Sequence, residues 1–254
     1  MPKLKSEKDI KTLEVSGRIL KVVMDAVSEA AKPGVKLIFL DRLAYDLIAS
    51  YEAKPAFLGY RPEGFKEVYP ASICLSLNSV IVHGIPDERK LAENDVLKID
   101  IGVNYKNRFT DSARTVIIGD KKPPADVEKL LKATEEALYA GIEEVRPGNK
   151  IGDIGFAISS IAKKYGVSVI DGLTGHGVGF APHEDPLVFN VGRKGTGITI
   201  EKRMVLALEP MFSLGSPEII ELPDGSFKTL DSSMTAQFEH TVVALPGGPK
   251  ILTS

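Results

Sequence analysis

KIDIGVNYKNRFTDSARTVIIG, residues 98–119, alternates like a half-buried hairpin, yet it carries Asp100 and Asp111 inside its two predicted strands. A turn centred on Lys106-Asn107 pairs residues whose numbers sum to 213, so Asp100 faces Ala113 and Gly102 faces Asp111. Both aspartates then share one face, and diagonal neighbours there lie roughly 7–8 Å apart at the backbone. The carboxylates can lean toward one point over the side-chain-free Gly102. The opposite face, Ile99, Ile101, Val103, Ser112, Arg114 and Val116, is largely apolar. Two like charges on a partly buried face repel unless something positive lies between them. On the hairpin alone two readings stay open: a cation held by both aspartates, or a pairing of one with Lys98 or Arg114 while the other is solvated.

Working outward, four amphipathic helices are predicted. SEKDIKTLEVSGRILKVVMDAVSEAAKPG places apolar residues at mostly helical spacing, with Ser6 available as a cap and Pro33-Gly34 as the stop. FLDRLAYDLIASY follows. PADVEKLLKATEEALYAGIEEVRPG and IGDIGFAISSIAKKYG repeat the pattern, and an offset of 114 lays Leu40 on Ile154, Leu47 on Ile161 and Tyr51 on Tyr165. Alternating apolar segments come after each helix pair. The order helix, helix, strands, twice over, predicts an α+β fold: one domain over 1–254, with pseudo-symmetric halves at about 7–119 and 124–246 around a shared sheet covered by helices.

The second half supplies more acids. MVLALEPM places Glu209 at the end of a predicted strand, and TAQFEHTVVAL places Glu239 in the middle of another. Four buried carboxylates without a cation would be very costly; two divalent ions between them balance the charge. Of four histidines, His83, His176 and His183 lie in glycine- or proline-punctuated segments suited to strand edges, whereas His240 points away from Glu239 and reads as structural. An oxygen-rich set with one imidazole suits manganese, iron, cobalt or zinc.

The order IVHGIP, IDIGV, FTDSARTV, GHGVG, PHEDP, LEPM and QFEHTVV resembles the pita-bread metallopeptidases, most closely the type I methionine aminopeptidases, nearly from end to end. The resemblance implies a pita-bread fold and five metal ligands, Asp100, Asp111, His176, Glu209 and Glu239, with Asp111 and Glu239 bridging two divalent ions. It implies that His83 and His183 contact the substrate amide and steady the tetrahedral intermediate, and that Glu209 also moves a proton to the leaving amine. It implies removal of the N-terminal methionine from nascent polypeptides, with a small second residue preferred. Phe57, Tyr60, Tyr69, Cys74 and His83 would line the methionine pocket, where a thiol and aromatic walls suit a flexible thioether. The chain departs from the family pattern in a longer 61–68 stretch, in Pro182 before the second histidine, and in having no tryptophan, so that Phe227 stands in for one.

Other classes fit less well. HEDP at 183–186 is no zincin helix, since Pro186 breaks it and Leu187 stands where a second histidine belongs. VGRKGTG reads as a surface turn. A net charge of -2 gives no broad basic surface for nucleic acid or an anionic membrane, and no window reaches the ~18 apolar residues of a membrane span. The single Cys74 cannot form an internal disulfide, and MPKLKSEKDIKTL has no apolar signal core. The expectation is a cytoplasmic monomer in transient contact with the ribosome. Two alternatives differ in chemistry: an Xaa-Pro aminopeptidase or prolidase, which usually carries an extra N-terminal domain, and a non-catalytic pita-bread binding protein, which would have lost ligands.

Overall fold

The computed structural model describes residues 2–61 and 67–254. The first half runs α1 (Glu7–Ala30), α2 (Leu37–Ser50), β1 (Lys54–Pro55), β2 (Cys74–Leu77), β3 (Val80–Val82), β4 (Val96–Tyr105) and β5 (Arg108–Ile117). The second runs α3 (Ala125–Glu143), α4 (Ile151–Tyr165), β6 (Ser168–Val169), β7 (Thr174–Gly177), β8 (Glu184–Phe189), β9 (Val205–Leu208) and β10 (Met211–Ser213). It continues through β11 (Ile219–Glu221), β12 (Phe227–Thr229), β13 (Thr235–Gln237), β14 (His240–Leu245) and β15 (Gly248–Ile251). The second helices of the halves begin at Leu37 and Ile151, the predicted 114 positions apart.

Helix α1 starts where a serine and an aspartate can satisfy its free N–H groups. Ser6 Oγ accepts from the Asp9 amide at 3.2 Å, and the Asp9 carboxylate accepts from the Ser6 amide at 2.8 Å. Such a cap stabilises by about 1 kcal/mol. Leu13, Leu20, Val23 and Val27 along one face are fully buried, each worth roughly 1.5–3 kcal/mol of transfer free energy. Leu20, Val23 and Val27 pack, with α2, on β2 and β4, Leu13 joins Val178, Val205 and Val243, and α3 and α4 cover an equivalent core beneath the second half. Gly17 lets α1 close on the C-terminal segment, since a Cβ there would stand 1.8 Å from the Leu252 carbonyl oxygen.

The hairpin takes the predicted register: Asp100 pairs with Ala113 and Gly102 with Asp111. Lys106 and Asn107 both have positive φ, 50° and 58°, the backbone a two-residue hairpin turn requires. Strand β5 lies on one edge of β4, and β2 and β1 lie end to end along the other. Among the described residues the strands divide among four hydrogen-bonded sheets, the largest ordered β15-β14-β9-β7-β8. Strand β5 stitches the halves: Glu239 N–H donates to Ala113 O (2.9 Å), Asp111 N–H to Thr241 Oγ1 (2.8 Å), and Thr115 Oγ1 to Gln237 O (2.6 Å). Among the described residues, no helix is long and apolar enough to cross a membrane.

Candidate metal centre

The β5 seam brings the predicted acids together. Ligand atoms of Asp111, His176 and Glu239, all buried, lie within 4.8 Å of one another. Glu209 Oε1 is 3.5 Å from His176 Nε2. Asp100 lies outside this tight group but lines the same cleft with the other four. All five predicted ligands therefore meet at one place, three of them tightly.

Two local details differ from expectation. Glu239 stands not within a strand but in the two-residue break between β13 and β14, and Glu209 stands in the matching break between β9 and β10. Leu208 pairs with His240 and Met211 with Gln237, so both glutamates sit at the level where a strand pair changes sheet. The break frees the Glu239 amide to bond β5. The space over Gly102 is also not left to the carboxylates: the Phe57 ring fills it, and a Cβ on Gly102 would lie 2.6 Å from that ring.

Neither Lys98 nor Arg114, the two candidate partners on the hairpin, neutralises the aspartates. Lys98 donates to Asn78 O at 2.6 Å, and Arg114 pairs with Asp25 at 2.9 Å. Among the described residues no lysine or arginine pairs with Asp100, Asp111, Glu209 or Glu239. Burial, then mutual repulsion, pushes the carboxyls of Asp111, Glu209 and Glu239 well up, and burial brings Asp100 up to about 7. Asp100 Oδ1, Asp111 Oδ1 and Glu239 Oε1 are buried with no hydrogen-bond partner. Buried orphaned oxygens are uncommon in folded proteins. Converging, unpaired and beside an imidazole, these fit a divalent cation.

His176 is prepared for the same task. Its Nδ1 lies 2.9 Å from Gly177 O, and only a protonated ring nitrogen can donate to a carbonyl. The proton on Nδ1 leaves the Nε2 lone pair free as a ligand. Burial lowers its pKa to about 4, which keeps the ring neutral. Gln237, which the sequence reading passed over, donates from Nε2 to Glu209 Oε2 at 3.2 Å. Its position two residues before Glu239 was the available signal.

The centre forms the floor of a cleft of about 1590 Å³ that Phe57, Tyr60, Tyr69, Cys74 and His83 also line. His83 has φ +60°, rare for a non-glycine residue, and its ring meets Phe227 edge-on at 5.8 Å. Tyr69 Oη donates to Gly84 O (2.9 Å), which ties that wall to the HGIP turn. Burial pushes the Cys74 thiol up, so it lines the cleft as a neutral apolar group. Tyr60 does more than line a pocket: its hydroxyl lies 3.0 Å from His183 Nδ1, and its ring stacks on the imidazole at 5.3 Å. His183 opens to the cleft and also lies 4.3 Å from the His176 ring. Surrounding protein, then His176 and His83, lower its pKa to about 3, so it too is neutral. Pro182 is buried. Most of the longer 61–68 stretch, 62–66, lies outside the described residues.

Comparison with known proteins agrees with this geometry. The model of metallopeptidase family M24 matches residues 11–245. A methionine aminopeptidase of Aquifex aeolicus is 43% identical over 256 residues, 98% of each chain. The crystal structure of the methionine aminopeptidase from Rickettsia prowazekii superposes with a TM-score of 0.94 at 37% identity, covering 100% of both chains. A prolidase of Pyrococcus horikoshii shares the fold alone, with a TM-score of 0.79 at 22% identity over 99% of this chain and 63% of its own. With its hairpin aspartates, paired glutamates and buried imidazole on that pita-bread fold, the chain belongs to metallopeptidase family M24, among the methionine aminopeptidases.

Proposed function

We propose that the protein removes the N-terminal methionine from nascent proteins and peptides, using two divalent metal ions held by Asp100, Asp111, His176, Glu209 and Glu239. The observation that carries this reading is the buried carboxylate and imidazole cluster with three orphaned oxygens on the floor of the cleft. Asp111 and Glu239, the two carboxylates of the tight group, would be shared between the ions. Cobalt, manganese, iron and zinc all suit the donor set. When bound, such ions bring the pKa of a water from 15.7 toward about 7 and polarise the carbonyl under attack.

The chain's own groups supply the remaining chemistry. Glu209, steadied by Gln237, takes a proton from the attacking water and passes it to the departing amine. With the Tyr60 hydroxyl donating to His183 Nδ1, the ring proton sits on Nε2 and is offered to the developing oxyanion. His83 holds the substrate amide from the opposite wall. Phe57, Tyr60, Tyr69 and Cys74 enclose the methionine side chain, whose thioether tolerates an irregular apolar wall. The protein acts as a single catalytic domain built of the halves 7–119 and 124–246. It works as a cytoplasmic monomer that meets emerging N-termini in transient contact with the ribosome. Nothing in the charge distribution favours nucleic acid, given a net charge of -2.

The test is peptide hydrolysis with added divalent metal. Methionine is released from Met-Ala-Ser peptides, much more slowly from Met-Lys, and Ala-Pro dipeptides stay intact. Preferential cleavage of Xaa-Pro bonds would overturn the reading in favour of a prolidase, and the absence of any hydrolysis would favour a binding protein.

A further inference from the structure

Far from the metal cluster in sequence, Lys5 lies in the irregular segment before α1 and is only 2% exposed. Its Nζ donates to Glu184 Oε2 at 2.7 Å and to Lys3 O at 3.0 Å, while its own amide donates to Arg203 O at 3.1 Å. The Glu184 side chain is buried as well, 5% exposed. Its other oxygen, Oε1, accepts from the amides of Phe180 and Ala181. A single carboxylate therefore closes the turn 180–184, and a lysine 179 positions away in sequence holds that carboxylate.

The same turn is gripped from two further directions. The Phe180 ring meets two cations, Lys5 Nζ at 4.8 Å from its centroid and the Arg108 guanidinium at 4.7 Å. Arg108 is itself fixed by Asp9 at 2.6 Å. Gly179 has φ +130°, and a Cβ there would stand 2.5 Å from Lys5 Cε, so the lysine stem packs directly on the backbone of the turn. His183 is the residue next to Glu184, and it is the histidine that stacks with Tyr60 and approaches His176.

A buried ion pair is weak grounds for stability, because apolar replacement of both partners is often neutral or stabilising. This one joins the segment before α1 to the loop that carries a substrate-facing imidazole, so its geometry rather than its energy is the informative feature. We propose that Lys5 is a positioning residue for His183, acting through Glu184 to hold the 180–184 turn at the distance the reaction requires. The proposal rests on the reading of His183 as a substrate-side group.

The experiment is a cycle of Lys5→Met and His183→Ala in the full-length, metal-loaded protein, with kcat and KM measured on a Met-Ala-Ser peptide. Lys5→Met lowers kcat about tenfold with KM and bound metal within twofold of wild type, and Lys5→Arg restores most of the loss. In the His183→Ala background Lys5→Met has no further effect on kcat. In metal-free protein the Phe180 and Ala181 amides exchange faster in Lys5→Met than in Lys5→Arg. An equal loss in both backgrounds, or unchanged kcat in Lys5→Met, overturns the proposal. Should Lys5→Met not fold, Lys5→Met/Glu184→Gln removes both charges while keeping a carbonyl oxygen for the two amides. Its loss of kcat must then also vanish in the His183→Ala background, or the proposal fails. Full activity of His183→Ala alone would refute the role of His183, a result distinct from the failure of Lys5.

Discussion

Asp111→Asn separates what the cluster costs the fold from what it does for metal. A carboxylate oxygen of Asp111 and one of Glu239 lie within 4.8 Å. Two full charges at that distance repel by about 3.5 kcal/mol at an effective dielectric constant near 20. Proton uptake relieves part of this, since burial already moves Asp100 to about 7 and its neighbours in the same direction. Removing one charge from the metal-free protein near neutral pH therefore recovers roughly 1–2 kcal/mol. For a chain of this size that is a rise in Tm of about 2–8 °C in chelator. Metal at about 100 times its Kd stabilises the wild type by roughly 2.7 kcal/mol, or about 5–11 °C. The variant, short of one bridging ligand, gains less than half as much and has no measurable peptidase activity. Thermal unfolding followed by circular dichroism, with chelator and with a metal titration, reads both signs. If Asp111→Asn lowers Tm in chelator, or gains as much as the wild type on metal addition, the carboxylate is a structural group and the charge-balance argument is wrong.

Other outcomes follow from single contacts. Gly102→Ala forces Phe57 aside, because the added Cβ meets that ring at 2.6 Å and Ala56 at 2.8 Å; a loss of about 1–3 kcal/mol in urea unfolding and a raised KM for methionyl peptides are expected. Gln237→Leu removes the donor to Glu209 Oε2 and lowers kcat about tenfold with KM little changed, as steady-state kinetics will register. Burial pushes the Asp9 carboxyl up, but hydrogen bonds from Ser6 and Arg108 outweigh it and hold it at about 2. Its folded pKa is thus below the unfolded value near 3.9, so its contribution is present above about pH 4 and is lost as pH falls toward about 2. With solvent at the edge of the pair this amounts to about 1 kcal/mol, seen as a stability gap between wild type and Asp9→Asn that closes over that window.

The hairpin was legible because its evidence is local. A two-residue loop fixes register, register fixes face, and Lys106-Asn107 supplies the positive φ that the turn needs. Helix α1 was equally readable from Ser6, the apolar spacing after it and the stop at Pro33-Gly34, whereas the reciprocal Asp9 cap emerged only in the structure. Glu239 was misplaced by two residues of context, since alternation in TAQFEHTVVAL continues across a break that only the partner strand β5 creates. The Phe57 ring over Gly102 and the Tyr60 hydroxyl on His183 depend on chain segments with no periodic relation to their targets. No pattern in MPKLK announces that Lys5 will meet Glu184. Such contacts belong to the packing of whole elements, and a one-dimensional pattern does not carry them.

The seam between the halves has a consequence for the life history of the chain. Asp100 and Asp111 come from the first half, and His176, Glu209 and Glu239 from the second, with the last acid set in place only when its amide reaches Ala113 on β5. A growing copy that has not yet produced Thr235–Leu245 lacks both that acid and the strands that position it. The cluster is therefore a coincidence detector for the two halves: its five side chains can meet only once Thr235–Leu245 has been made and has docked on β5.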